Sequence, residues 1–181
     1  MIDGGYLAKR IALRPGLPSH VAEVCSVSTC ISPGPDDAVK RWLHNELGWY
    51  NTIELAWSVV PEVDRAGHRL FAYRLLETRY HKGSARPFVL PADVRPDPIP
   101  QTFEGRGFDA VSRFAEDVIG FECSPLSCNG LATELGTNRH CLFATFDDAV
   151  AAARTFSIDE PEPGDYFVVE VLELGEPCEA T

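Results

Sequence analysis

No stretch of this chain approaches the roughly 20 consecutive apolar residues that a bilayer-spanning helix needs, so a membrane span is not expected. The opening MIDGGYLAKRIALRPG lacks a basic segment followed by an unbroken apolar core, so it does not read as a signal peptide and a cytoplasmic location is expected. Positive charge is scarce: 16 Lys and Arg stand against 27 Asp and Glu, a formal net charge of -11. A phosphate backbone would be repelled over most of such a surface, so nucleic acid is not an expected partner, whereas a basic protein is. The Walker loop, the dinucleotide-binding glycine fingerprint, the nucleophile elbow, the zincin helix and the calcium loop are all missing, which removes the commonest routes from motif to activity.

What remains is a chain of 181 residues, enough for one ordinary hydrophobic core, with an average share of apolar, charged and aromatic residues. Six cysteines without an export signal read as reduced thiols that are buried, ligating or catalytic. Cys25 and Cys178 read as small buried hydrophobes.

Periodicity predicts strands over 6–13, 21–31, 70–77, 108–115, 139–143 and 166–174. The acids Asp36 and Asp37 precede Val39, Trp42, Leu43 and Leu47 at helical spacing up to Gly48, which predicts a helix. Capping signatures at Asn51-Thr-Ile-Glu54 and Thr145-Phe-Asp-Asp148 open two more, the second with Ala149, Val150, Ala153 and Phe156 inward. Five prolines between Pro87 and Pro100 force an extended connector. Cys30 begins CISPGPDDAV and Cys141 begins CLFATFDDAV, so a cysteine precedes the same Asp-Asp-Ala-Val helix start in both halves. The expected fold is a single α+β domain of two related β-β-α-β halves around a mainly antiparallel sheet: 1–83 and 103–175, with a connector 84–102 and an acidic tail 176–181.

Function is expected where the halves differ. The first inserts HNELGWYNTIELAW; the second inserts FECSPLSCNGLATELGTNRHCLF, which concentrates cysteine, histidine and glycine. If these segments meet, Cys128, near the start of a short helix, can act as a nucleophile. His44 would be its base, Asn129 or Asn45 would orient the imidazole or donate to an oxyanion, and Glu54 would be the acidic third member. Cys123, Asn45, Trp49, Tyr50, Asn51 and His140 would line the substrate pocket, with Trp42 and Trp57 in the core and Trp49 and Tyr50 half exposed. The implied activity is a cysteine-dependent enzyme acting on a small molecule or an amide-type bond.

Two other readings compete. An immunity- or antitoxin-like protein would use its acidic surface to dock on a basic partner. Zinc would accept Cys123, Cys128, His140 and Cys141, although adjacent His140 and Cys141 would project to opposite faces of a strand. His20, His68 and His81 read as solvent-exposed loop residues.

The phrases GFECSPLSCNGLA and NRHCLF, with CISP, WLHNELGWYNT and PEPGDYFVVEVL, resemble a family of uncharacterised bacterial proteins of similar length. The resemblance covers most of the chain. It implies a bacterial, soluble, single-domain protein and carries no activity, cofactor or catalytic residue.

Overall fold

The structure, a computed structural model, describes residues 1–11, 15–28, 30, 43–114, 120–121 and 123–175. The expected helix through Val39 and Trp42, the Asp36-Asp37 cap and the acidic tail with Cys178 lie outside them.

Five strands, β1 (Ile2–Lys9), β2 (Arg69–His81), β3 (Ser84–Pro87), β4 (Phe103–Arg113) and β5 (Asp165–Leu174), form one antiparallel sheet in the path β1-β2-β5-β4, with β3 paired to β2. With α1 (Ile53–Ser58), α2 (Pro125–Cys128) and α3 (Phe146–Asp159), the architecture is α+β. The sequence of β5, DYFVVEVLEL, is almost continuously apolar because this central strand is covered on both faces. On one face Phe71, Tyr73, Leu75, Val111, Phe167 and Val169 pack against Trp49, Phe121 and the 88–99 segment. On the other, Ala110, Tyr166 and Val168 meet Ala149, Ala153 and Phe156 of α3. Val150, expected inward, is only half-buried.

Both longer helices start where their side chains dictate. Thr52 Oγ1 accepts from Leu55 N and Thr145 Oγ1 from Asp148 N, each satisfying an amide that the first turn leaves open. The prolines of the connector stay out of the sheet beyond β3, and Val94 alone in that stretch is fully buried.

Two sequence expectations fail for one reason. Residues 139–143 form a turn rather than a strand, because Asn138 Oδ1 collects the amides of His140 and Leu142 at 2.9 and 3.2 Å while its Nδ2 donates to the Arg106 carbonyl at 2.7 Å. Cys141 then takes a positive φ of 59°. Described residues 21–28 form no strand either; within them Ala22 N donates to the Arg139 carbonyl and Cys25 N to the His140 carbonyl of that turn.

The same turn occurs once more. Asn45 Oδ1 accepts from Leu47 N and Trp49 N, its Nδ2 donates to the Gly4 carbonyl, and Gly48 holds a φ of 77°. Each turn ends in an aromatic that bridges the outer edge of a strand, Tyr50 to Tyr6 in β1 and Phe143 to Phe108 in β4. Beside each bridge a glycine makes a bulge at positive φ, Gly5 and Gly107. A Cβ there would lie 2.7 Å from the Tyr50 carbonyl oxygen and 2.6 Å from that of Phe143. The match of Cys30 with Cys141 through Asp-Asp-Ala-Val falls in its first half on 31–42, outside the described residues.

A candidate thiolate site

Asp109 of β4 is fully buried and gathers two chain segments. Its carboxylate accepts from Ser26 Oγ at 3.0 Å, Val27 N at 2.9 Å and Ser124 Oγ at 2.6 Å. Burial pushes its pKa up, against the opposing pull of Ser124, Val27, Ser26 and the charge of Lys9. Lys9, also fully buried, donates to the Ser26 carbonyl and lies over the rings of Phe71 and Tyr73. Burial lowers its pKa to about 8, with the nearby Cys25 and Asp109 opposing.

The two segments held by Asp109 carry three thiols to one point. The Sγ atoms of Cys30, Cys123 and Cys128 all lie within 4.8 Å of one another, with Cys30 and Cys123 at 3.8 Å. Cys30 is exposed and the other two are half-buried, so the cluster opens to solvent. Ser28 Oγ sits 3.6 Å from Cys128 Sγ and accepts from Cys30 N at 3.2 Å, an orientation in which the hydroxyl can give its proton to the sulfur. Burial drives the Cys123 thiol well above its ordinary pKa, and the thiolate charges of Cys128 and Cys30 push it further the same way. Three thiolates at this separation would repel one another, and a bound cation would remove that penalty.

The site residues expected from the sequence are spread over several environments. The insertions do converge: Gly120 N donates to the Glu46 carbonyl at 3.3 Å and Trp49 stacks on Phe121 at 5.2 Å. Cys128 is the last residue of the four-residue α2 and lies three residues before a single 3-10 turn, Leu131–Thr133, too short to supply the dipole that the sequence reading called on. His44 packs edge-on against Tyr50 at 4.4 Å. Trp49 and Tyr50 are buried core residues and not half-exposed ones, and Trp57, expected in the core, is half-buried. Asn45 shapes its turn, while Asn51 accepts from Asn45 Nδ2 and donates to the Asp93 carbonyl. Asn129 is exposed and bonds the Pro161 carbonyl; Glu54 is exposed in the first turn of α1.

His140 and Cys141 belong elsewhere than the zinc set drawn from the sequence. Cys141 is buried, and burial, aided by the charges of Asp109 and Cys128, raises its pKa to about 12. Glu23, Cys25 and His140 bring ligand atoms together, but Glu23 is already engaged by Arg69 and by His140 Nδ1 at 2.6 Å. Burial pushes Glu23 up, yet the hydrogen bonds and charges of Arg69 and His140 outweigh it and hold the carboxyl at about 2. A guanidinium fills the role a cation would take, and this second group is an ion-pair network that continues through Glu173 to Arg106.

Comparison with protein-family models, curated proteins and solved structures finds no match to this chain. Cys30 is the site residue that sequence spacing missed. Its signal, the serine and proline that follow in Cys-Ile-Ser-Pro, echoes Cys123-Ser-Pro.

Proposed function

We propose that the protein binds a thiophilic metal ion, foremost Zn2+, through Cys30, Cys123 and Cys128. The convergence of three sulfurs within 4.8 Å at a solvent-facing point carries the reading. Three protein ligands leave the fourth tetrahedral position open, the arrangement of catalytic rather than purely structural zinc, and a small-molecule substrate or water would take it. Soft sulfur ligands select Zn2+ or Cu+ over Mg2+ and Ca2+. Ser28 would stabilise the Cys128 thiolate, and Asp109 would hold the loops in place from the second shell of contacts. This reading replaces Cys128 and His44 as a nucleophile and base with Cys128 as a ligand.

Elemental analysis of untagged protein, with a Cd2+ titration followed by sulfur-to-metal absorbance, tests it. One equivalent is expected, lost on Cys30→Ser, Cys123→Ser or Cys128→Ser and kept on Cys141→Ser. Absence of binding, or binding indifferent to these three, removes the reading. The separation of 3.8 Å between Cys30 and Cys123 also favours their oxidation by peroxide to a disulfide and water. A metal-free protein lighter by two hydrogens in its native state would support that alternative.

We also infer that the sheet is built from two related units: β1, the Asn45 turn, α1 and β2 in one, and β4, the Asn138 turn, α3 and β5 in the other. Asn45, Gly48, Tyr50 and Thr52 match Asn138, Cys141, Phe143 and Thr145 at identical spacing, with the same hydrogen bonds. Asn45→Ala and Asn138→Ala should each lower stability by a similar ~2–4 kcal/mol, the cost of several buried backbone groups losing partners. A large cost at one and none at the other in urea unfolding would count against the relationship.

A further inference from the structure

The two loops that carry the thiols are tied down through their main chains and present one sulfur outward. Cys30 N donates to Ser28 Oγ at 3.2 Å, and the Cys123 carbonyl accepts from Ser112 N of β4 at 2.9 Å. The sulfurs of Cys30 and Cys123 stand 3.8 Å apart, where a disulfide needs about 2.05 Å. That difference lies within the sweep of one rotation of the exposed Cys30 side chain, with Asp109 keeping both loops in place. Cys128 is engaged differently, its Sγ facing Ser28 Oγ at 3.6 Å and Ser127 Oγ at 4.0 Å.

We propose that a peroxide controls the metal occupancy of this site: oxidation joins Cys30 to Cys123 and expels the ion, and a small thiol restores the ligands. The proposal rests on the reading of the cluster as a metal site and names its regulation. The exposed sulfur meets an oxidant from solvent first. Cys30 sulfur attacks one peroxide oxygen, the O–O bond breaks and hydroxide leaves, giving a sulfenic acid. Cys123 sulfur then attacks Cys30 sulfur, so that the S–S bond forms as the S–O bond breaks and a second hydroxide leaves. Two protons from solvent convert both hydroxides to water; the two sulfurs have given two electrons to the peroxide, and the metal keeps its charge. Thiolates and not disulfides ligate Zn2+, so the ion is left with Cys128 alone and dissociates. A partner sulfur at 3.8 Å also captures the sulfenic acid before it is oxidised irreversibly to the sulfinic acid. Two equivalents of a small thiol reverse the step by exchange, returning both cysteines as thiols and leaving as their own disulfide.

Reduced, untagged protein loaded with Zn2+ and then treated with a few equivalents of hydrogen peroxide tests this, with zinc read by a chromophoric chelator and the chain by mass spectrometry. One zinc ion should leave per disulfide formed, with the chain lighter by two hydrogens than its reduced metal-free form and the bond mapped to Cys30 and Cys123. Reduction with a small thiol, removed before Zn2+ is added back, should restore full loading. In the metal-free state, Cys30→Ser and Cys123→Ser should abolish the loss of two hydrogens, whereas Cys128→Ser and Cys141→Ser should keep it. Zinc retained through peroxide treatment, zinc lost without a bond between Cys30 and Cys123, or oxidation that runs to sulfinic acid overturns the proposal and leaves the metal reading standing. Reduced protein that takes up neither Zn2+ nor Cd2+ overturns both.

Discussion

Asp109→Ala offers the sharpest test of how the thiol cluster is built, because one carboxylate holds both segments that deliver the sulfurs. The substitution leaves the Val27 amide and the hydroxyls of Ser26 and Ser124 facing empty space. A buried amide without a partner costs ~1–3 kcal/mol, and the hydroxyls, which can turn elsewhere, cost less, so a loss of ~3–5 kcal/mol is expected by urea unfolding. The functional effect is separate: with Ser26 and Ser124 released, Cys30 and Cys123 lose their common anchor, and affinity for Cd2+ should fall about 10–100-fold in competition with a chromophoric chelator. Leu172→Ala is the control. It hollows the core away from the thiols, with an expected loss of ~2–5 kcal/mol and no change in metal affinity. If Asp109→Ala destabilises the fold while affinity stays within about twofold of the parent protein, the carboxylate supports the fold and does not position the thiols.

Lys9 makes stability rise with pH. Folded, its ammonium gives up its proton near pH 8; unfolded, near 10.5, so between these values the unfolded chain holds more protons and loses ground. The full gain approaches ~3 kcal/mol, and Lys9→Met, compared with the parent by urea unfolding at pH 7 and 10, should remove most of it; an unchanged slope would refute the burial of a charged Lys9. Glu23, held at about 2, acts in acid: its contribution is complete above its ordinary value of 4.5 and is lost as pH falls through about 2. Allowing for screening at this partly exposed group, Glu23→Gln should cost ~1–2 kcal/mol at pH 7 and nothing near pH 2, as read by chemical denaturation. Gly107→Ala should cost ~2–4 kcal/mol through its positive φ and the Phe143 carbonyl 2.6 Å away, and a neutral thermal midpoint would refute the bulge geometry.

What the amino-acid order makes legible is local. Strand β5 and the caps at Thr52 and Thr145 lie where alternation and an oxygen three residues before an open amide put them, while β2 runs on to His81 and β4 starts at Phe103, five residues before the expected 108. The Asn138 turn escapes this logic, since its anchor is the carbonyl of Arg106 on a distant strand. Without that anchor Arg139–Phe143 looks like an apolar extended run. Cys30 likewise meets Cys123 only through Asp109, whose role as a clamp depends on which face of β4 is roofed by the serine loops. Spacing along the chain rewards neighbours such as Cys123 and Cys128 and overlooks a ligand arriving from the first third of the chain. His81 was hidden in the same way, because its partner Asp165 enters from another strand.

Both outermost strands are shuttered. The short aromatic bridges from Tyr50 onto β1 and Phe143 onto β4 occupy backbone groups that would otherwise invite another polypeptide to zip on, and the neighbouring bulges spoil the flat registration such growth requires. Guarded in this way, β1 and β4 resist ribbon growth, while the short, exposed β3 carries no such bridge among the described residues and is blunted instead by Pro87 at its end.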